Sequence, residues 1–144
     1  MILWFAGGAC LAVWFVLHDP RLDYRLLILG ALLPDAPLRL TPLHSLVFPV
    51  ALLAAVMAVT RRGSAARRRA LAVPIGALLH LVLDGMWSRS GVFWWPFLGG
   101  FDWASLPSLD RPLALVLVQE AAGAVALAWS LAQRSAMAAD GPTC

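Results

Sequence analysis

The sequence predicts an all-α membrane protein, a bundle of four transmembrane helices with one short interfacial helix. Three observations lead there. Apolar residues make up 61% of the 144 and charged residues only 13%, against about 25% charged in ordinary globular chains, and the mean hydropathy is +0.79. The apolar runs are long and do not alternate with polar residues, which excludes a closed β-barrel. All eleven basic residues are Arg, and five of them fall between Arg61 and Arg69, which in so apolar a chain reads as an orientation signal. Together these exclude a water-soluble enzyme, a disordered tail and a nucleic-acid-binding domain. The pI of 9.7 reflects a net charge of only +3. The length suits a single integral-membrane domain over residues 1–132, followed by a C-terminal tail, 133–144, expected to fray. Cys10 and Cys144 give no disulfide framework.

Ile2 to Leu17 is uncharged, with Trp4 and Trp14 near its ends as interfacial anchors. As a helix it spans ~24 Å, a little short of the ~30 Å hydrocarbon core. It lacks the basic start and cleavage site of a signal peptide and reads as a retained first span. A polar connection from His18 to His44 follows. It encloses an eight-residue apolar stretch, Leu26 to Leu33, that ends at Pro34 and suits a short helix near 22–33, packed against the bundle or dipping into the interface. Ser45 to Thr60 is the second span, with Pro49 at its first turn or at a kink. The Arg61–Arg69 loop leads to the third span, Ala70 to Trp87. Ser88 to Arg111 is an aromatic, Pro- and Gly-rich connection, and Pro112 opens the fourth span, Pro112 to Ala132.

Dense basic loops stay in the cytoplasm. With four spans, both termini are then cytoplasmic too. This topology gathers the ionisable groups. Helix three runs outward, placing Asp84 near its outer end and His80 about one turn, ~6 Å, deeper. Helix four runs inward, and Glu120 lies ~12 Å below its start, level with His80. His18, Asp35 and His44 flank the outer ends of the first two spans. Such groups in a membrane cost a few kcal/mol each and face a partner or a wet cavity.

His80 and Asp84, four residues apart, share a helix face, and imidazole with carboxylate suits Zn²⁺, Mn²⁺ or Fe²⁺. For this pair alone the simpler reading is a hydrogen bond satisfying two buried groups. Glu120 is either a carboxylate bonded to a neighbour such as Gln119 or a ligand or general base beside a metal-activated water. Arg39 and Arg111 either hold an anionic group or contact solvent and lipid headgroups. Trp87, Trp94, Trp95 and Trp103 read as an outer aromatic belt.

Four pieces then occur in order: Leu33-Pro34-Asp35, His44-Ser45, the Gly76 to Gly85 stretch with His80 and Asp84, and Trp95-Pro96-Phe97. Over residues 26–97 the chain resembles a family of small bacterial inner-membrane proteins described as metal-dependent hydrolases, the group that contains a LexA-regulated inner-membrane member. Its helical layout is broadly similar to that of zinc-dependent phospholipase C proteins. The resemblance implies one divalent ion held by Asp35, His44, His80 and Asp84. Pro37 and Arg39 stand where the family often carries a further acid and a further His, so a second metal would need His18 and Glu120 as ligands.

The expected function is a membrane-embedded hydrolase that cleaves an ester or phosphoester, such as a lipid headgroup, at the outer face of a bacterial inner membrane. Glu120 would then be the base. Arg39 and Arg111 would steady an anionic group. Two alternatives are a metal-ion or proton transporter component, which four short helices could form only as a homo-oligomer, and a non-catalytic assembly protein. The expected partners are membrane lipids, with no nucleic acid.

Overall fold

The computed structural model describes residues 1–17, 22–35, 41–98 and 111–139. Among these there are helices and turns but no strand. The helices are α1 (Ile2–Leu17), α2 (Tyr24–Leu32), α3 (Val47–Val59), α4 (Ala65–Ala70), α5 (Ala72–Leu83), α6 (Ser90–Phe93) and α7 (Leu113–Ala139). Short 3-10 turns at Leu33–Asp35, Thr41–His44 and Met86–Ser88 link them.

Local chemistry sets the boundaries. The Asp23 carboxylate accepts from the Arg25 N–H at the start of α2, and the Ser64 hydroxyl accepts from the Arg67 N–H at the start of α4. Each satisfies an amide that the first turn leaves unpaired. α4 and α5 are separated at Leu71. Pro74 cannot donate to the Ala70 carbonyl, and its ring crowds the preceding turn. α5 stops at Asp84, where Gly85 takes a positive φ of 71°, a conformation that glycine adopts without strain. The third predicted span, Ala70 to Trp87, therefore shrinks to Ala72–Leu83.

Among the described residues one helix is long and apolar enough to cross a membrane, over Leu113–Ala136, while α1 and α3 are shorter apolar helices. α7 continues past Ala132 to Ala139, so the fourth predicted span is extended at its C-terminal end.

α1 and α7 run parallel. The Leu3 N–H donates to Glu120, and further along Trp14 meets Trp129 edge to face at 4.7 Å. Between these contacts a Cβ on Gly7 would strike the Gly123 backbone, and one on Gly123 would strike Leu3. Glycines at such a crossing let two backbones touch, the packing typical of helices in a membrane. α2 and α5 pair in the same way. A Cβ on Gly30 would meet the Val73 carbonyl, and one on Gly76 the Leu27 carbonyl.

Of the two roles expected for α2, packing against the bundle is the one the structure shows. The α2 residues Tyr24, Leu27, Gly30 and Ala31 are buried, and with Ala9, Cys10, Val13 and Ala72 they build the core. α2 is the return leg between α1 and α3. Phe5 at the start of α1 lies on His80 near the end of α5, and the Trp4 indole N–H points at the Leu83 carbonyl. At the opposite end Arg134 of α7 lies over the Tyr24 ring, 4.9 Å from its centroid. With α2 as an extra leg, Met1 and the last turn of α7 lie at opposite ends of the bundle.

Candidate metal centre

Asp35, His44 and His80 converge. One donor atom from each lies within 4.8 Å of the others, against roughly 3.4 Å between ligands on a tetrahedral ion bound at ~2.1 Å. Small side-chain rotations close that gap. Each residue arrives from a different element. Asp35 ends the 3-10 turn that follows α2, His44 ends the turn that leads into α3, and His80 sits in the last turn of α5.

His80 is the most constrained. It is fully buried, its ring stacks on Phe5 with centroids 3.9 Å apart, and its Nδ1 lies 2.7 Å from the Ala31 carbonyl oxygen. A carbonyl only accepts, so Nδ1 carries the proton and Nε2 presents its lone pair. This is how a ligating histidine is usually held. Nε2 is buried without a hydrogen-bond partner, as is Nδ1 of His44. The two rings meet at 71° with centroids 5.5 Å apart, and His44 Nε2 is 4.0 Å from Asp35 Oδ1. Burial pushes the His44 imidazole below its usual pKa, and the Asp35 charge pushes partly back. The net effect favours the neutral, ligand-competent ring. Asp35 is exposed and opens the cluster to the outside. The donor set, two neutral imidazoles and a carboxylate, fits a divalent transition ion.

Asp84 stands apart from this set. Its Oδ1 is 2.9 Å from an Arg111 guanidinium nitrogen, which also donates to the Asp84 carbonyl at 3.2 Å. Arg111 further reaches Gln119 Oε1 at 3.3 Å. Asp84 Oδ2 is buried and unpartnered. Arg111, expected to hold an anion of the substrate, thus holds a carboxylate of the protein itself, because a buried carboxylate is stable only when paired.

Glu120 does not reach the histidines. Its Oε2 accepts the Leu3 N–H at 3.0 Å, and its Oε1 is 3.7 Å from the Met1 amino group. A carboxylate at a helix start satisfies free amides and complements the helix dipole, so Glu120 caps α1 where a general base was expected. His18 and Arg39 lie outside the described residues, as does Trp103. Trp87 and Trp94, expected in the aromatic belt, are exposed. Two supports of the site left no sequence signal, Phe5 and the Ala31 carbonyl. An apolar residue and a backbone oxygen look like any others until the helices are packed.

A helical bundle with one membrane-length helix among the described residues, and with two buried histidines and the buried Asp84 toward one end, is the build of a small integral membrane protein. The model of the YdjM inner membrane protein family matches residues 38–139, and the chain belongs to that family. None of the curated proteins and none of the solved structures compared with the chain matches it. The matched region contains His44, His80, Asp84, Arg111 and Glu120, whereas Phe5, Ala31 and Asp35 precede it.

Proposed function

We propose that this inner-membrane protein is a metal-dependent hydrolase of esters or phosphoesters, with one divalent ion, Zn²⁺, Mn²⁺ or Fe²⁺, held by Asp35, His44 and His80. The observation that carries the reading is the His80 ring. Ala31 fixes its tautomer, and the free Nε2 is buried with nothing to bond, a cost that a bound cation removes. Three protein ligands leave a position open, the pattern of catalytic rather than structural sites. A divalent ion there supplies a Lewis acid and an acidified water. Phe5 and Ala31 hold His80 in place, and Arg111 fixes Asp84 one turn further on, with Oδ2 free.

The Arg61–Arg69 loop faces the cytoplasm. The chain then crosses the membrane several times, and the cluster, with Met1, lies at the outer face. Transport along the bundle has less support. Among the described residues the core beyond His80 is mostly apolar, with Ala9, Cys10, Val13, Leu27 and Ala72, and its one phenol, Tyr24, lies at the far end under Arg134.

Metal analysis of the purified protein should find about one divalent ion per chain, and close to none in His80→Ala. Hydrolysis of a panel of phospholipids and model phosphoesters should follow the metal. Metal-loaded protein that cleaves nothing in the panel would end the hydrolase reading.

A further inference from the structure

We propose that the substrate is a lipid whose acyl chain lies in the apolar groove between the start of α3 and the turn after α6; this rests on the hydrolase reading above. The groove is a cavity of about 150 Å³ lined by Leu46, Val47, Val50, Phe93, Trp94 and Phe97. Not one polar or charged side chain lines it. A cavity of that volume and lining takes up a hydrocarbon of about six carbons, enough to seat the first part of a chain and too narrow for a helix ~10 Å across.

The groove lies next to the turn that carries His44, which packs against both α3 and α6. Leu46 lies two residues beyond His44, and its N–H donates to the Phe93 carbonyl at 2.9 Å, tying the walls together. Phe93 packs against a buried cluster that includes Leu81, the neighbour of His80. An apolar trough whose wall begins two residues after His44 matches a molecule with a hydrocarbon tail and a polar, hydrolysable head. Trp87, Trp94, Phe97 and Leu98 expose large apolar surface at the same end, which places the trough among lipid chains rather than in water. The side chains of the trough hold one tail in a fixed position, so the groove both retains and orients it.

Native mass spectrometry of the detergent-solubilised full chain, mixed with a long-chain phosphatidylglycerol, tests the groove apart from catalysis. One lipid should stay bound per chain. Val50→Trp, which fills the trough, should lose it. Phe97→Ala, which unmakes one wall at an exposed position, should weaken it. Val118→Trp, on the exposed face of α7, should keep it. Metal content should be the same in all four proteins. In turnover assays the wild type should prefer long-chain over short-chain esters by about 10-fold or more, and Val50→Trp should lose that preference. Equal lipid retention by Val50→Trp overturns the assignment. So does a dimer that Val50→Trp abolishes, which would make the groove a contact between copies. Lipid retained in the groove with no cleavage of either ester class overturns the hydrolase reading and leaves a bound structural lipid. Cleavage without chain-length preference spares the hydrolase reading and overturns the lipid substrate.

Discussion

The two ionisable residues, His80 and Asp84, should respond differently to removal, because one belongs to the proposed metal ligands and the other faces an arginine. His80→Ala deletes a ligand and should empty the site of metal. Asp84→Ala leaves the Arg111 guanidinium part-buried without its counter-charge, with the Gln119 and residue-84 carbonyl oxygens left to bond, a loss of about 3 kcal/mol. It should lower stability in detergent while the folded fraction keeps its metal. Replacing both members, as in Asp84→Ala with Arg111→Leu, should recover most of that loss, as thermal unfolding would show. Metal lost from folded Asp84→Ala would instead return Asp84 to the ligand set. Glu120 provides a second contrast. As a cap, Glu120→Gln keeps an acceptor for the Leu3 N–H and should cost little, whereas Glu120→Ala should cost about 1 kcal/mol. Neither should abolish hydrolysis; a fall of 100-fold or more in Glu120→Gln would restore the general-base role. The sequence made the His80 side of the site legible, since helical spacing and the depth of the ionisable groups both pointed there. It could not show that Arg111 would claim Asp84 from 27 residues away, or that Glu120 would turn to α1, because such pairings exist only after the helices pack.

At the scale of elements, the site depends on helices that carry none of its ligands. α1 supplies Phe5 against His80, and α1 is held to α7 by the glycine contact. Gly123→Leu should push the two backbones apart, destabilise the protein by about 1–3 kcal/mol and weaken metal binding through displacement of Phe5. Gly8→Ala is the control. Its Cβ would meet only the flexible Leu83 side chain, so metal affinity should stay close to wild type. Isothermal titration with Zn²⁺ after chelator stripping would compare the two. Equal affinity in Gly123→Leu and Gly8→Ala would show that α1 is not needed to place the ring. α2 also shows where sequence reading left a choice open. Its nine residues are too few for a lipid-facing helix, and a length rule set by bilayer thickness leaves such a segment at the interface or against the bundle. A leg enclosed by α1 and α5 does not have to meet lipid along its whole length, so the rule does not apply to it.

For the whole molecule, the added leg changes which ends of the chain share a side. With the Arg61–Arg69 loop in the cytoplasm, as proposed, the helix directions give the rest. α3 runs toward that loop from His44, α5 runs back to Asp84, α7 returns from Arg111 to Arg134, and α1 starts beside Glu120. Met1 should therefore lie outside with the candidate site, and the end of α7 inside with the arginines. Single cysteines, introduced into a chain whose native cysteines are replaced by alanine, read this directly. Ile2→Cys and Ser88→Cys should react with an impermeant maleimide added to intact spheroplasts. Ser64→Cys and Ser135→Cys should react only after the membrane is opened. Ile2 and Ser88 are exposed in the bundle, so a failure to label would report the membrane side rather than burial in protein. If Ile2→Cys instead behaves like Ser64→Cys while Ser88→Cys stays outside, α1 runs antiparallel to α7 in the membrane. The Glu120 cap and the Phe5 stack on His80 would then both be lost, and the site would need a different support for its central imidazole.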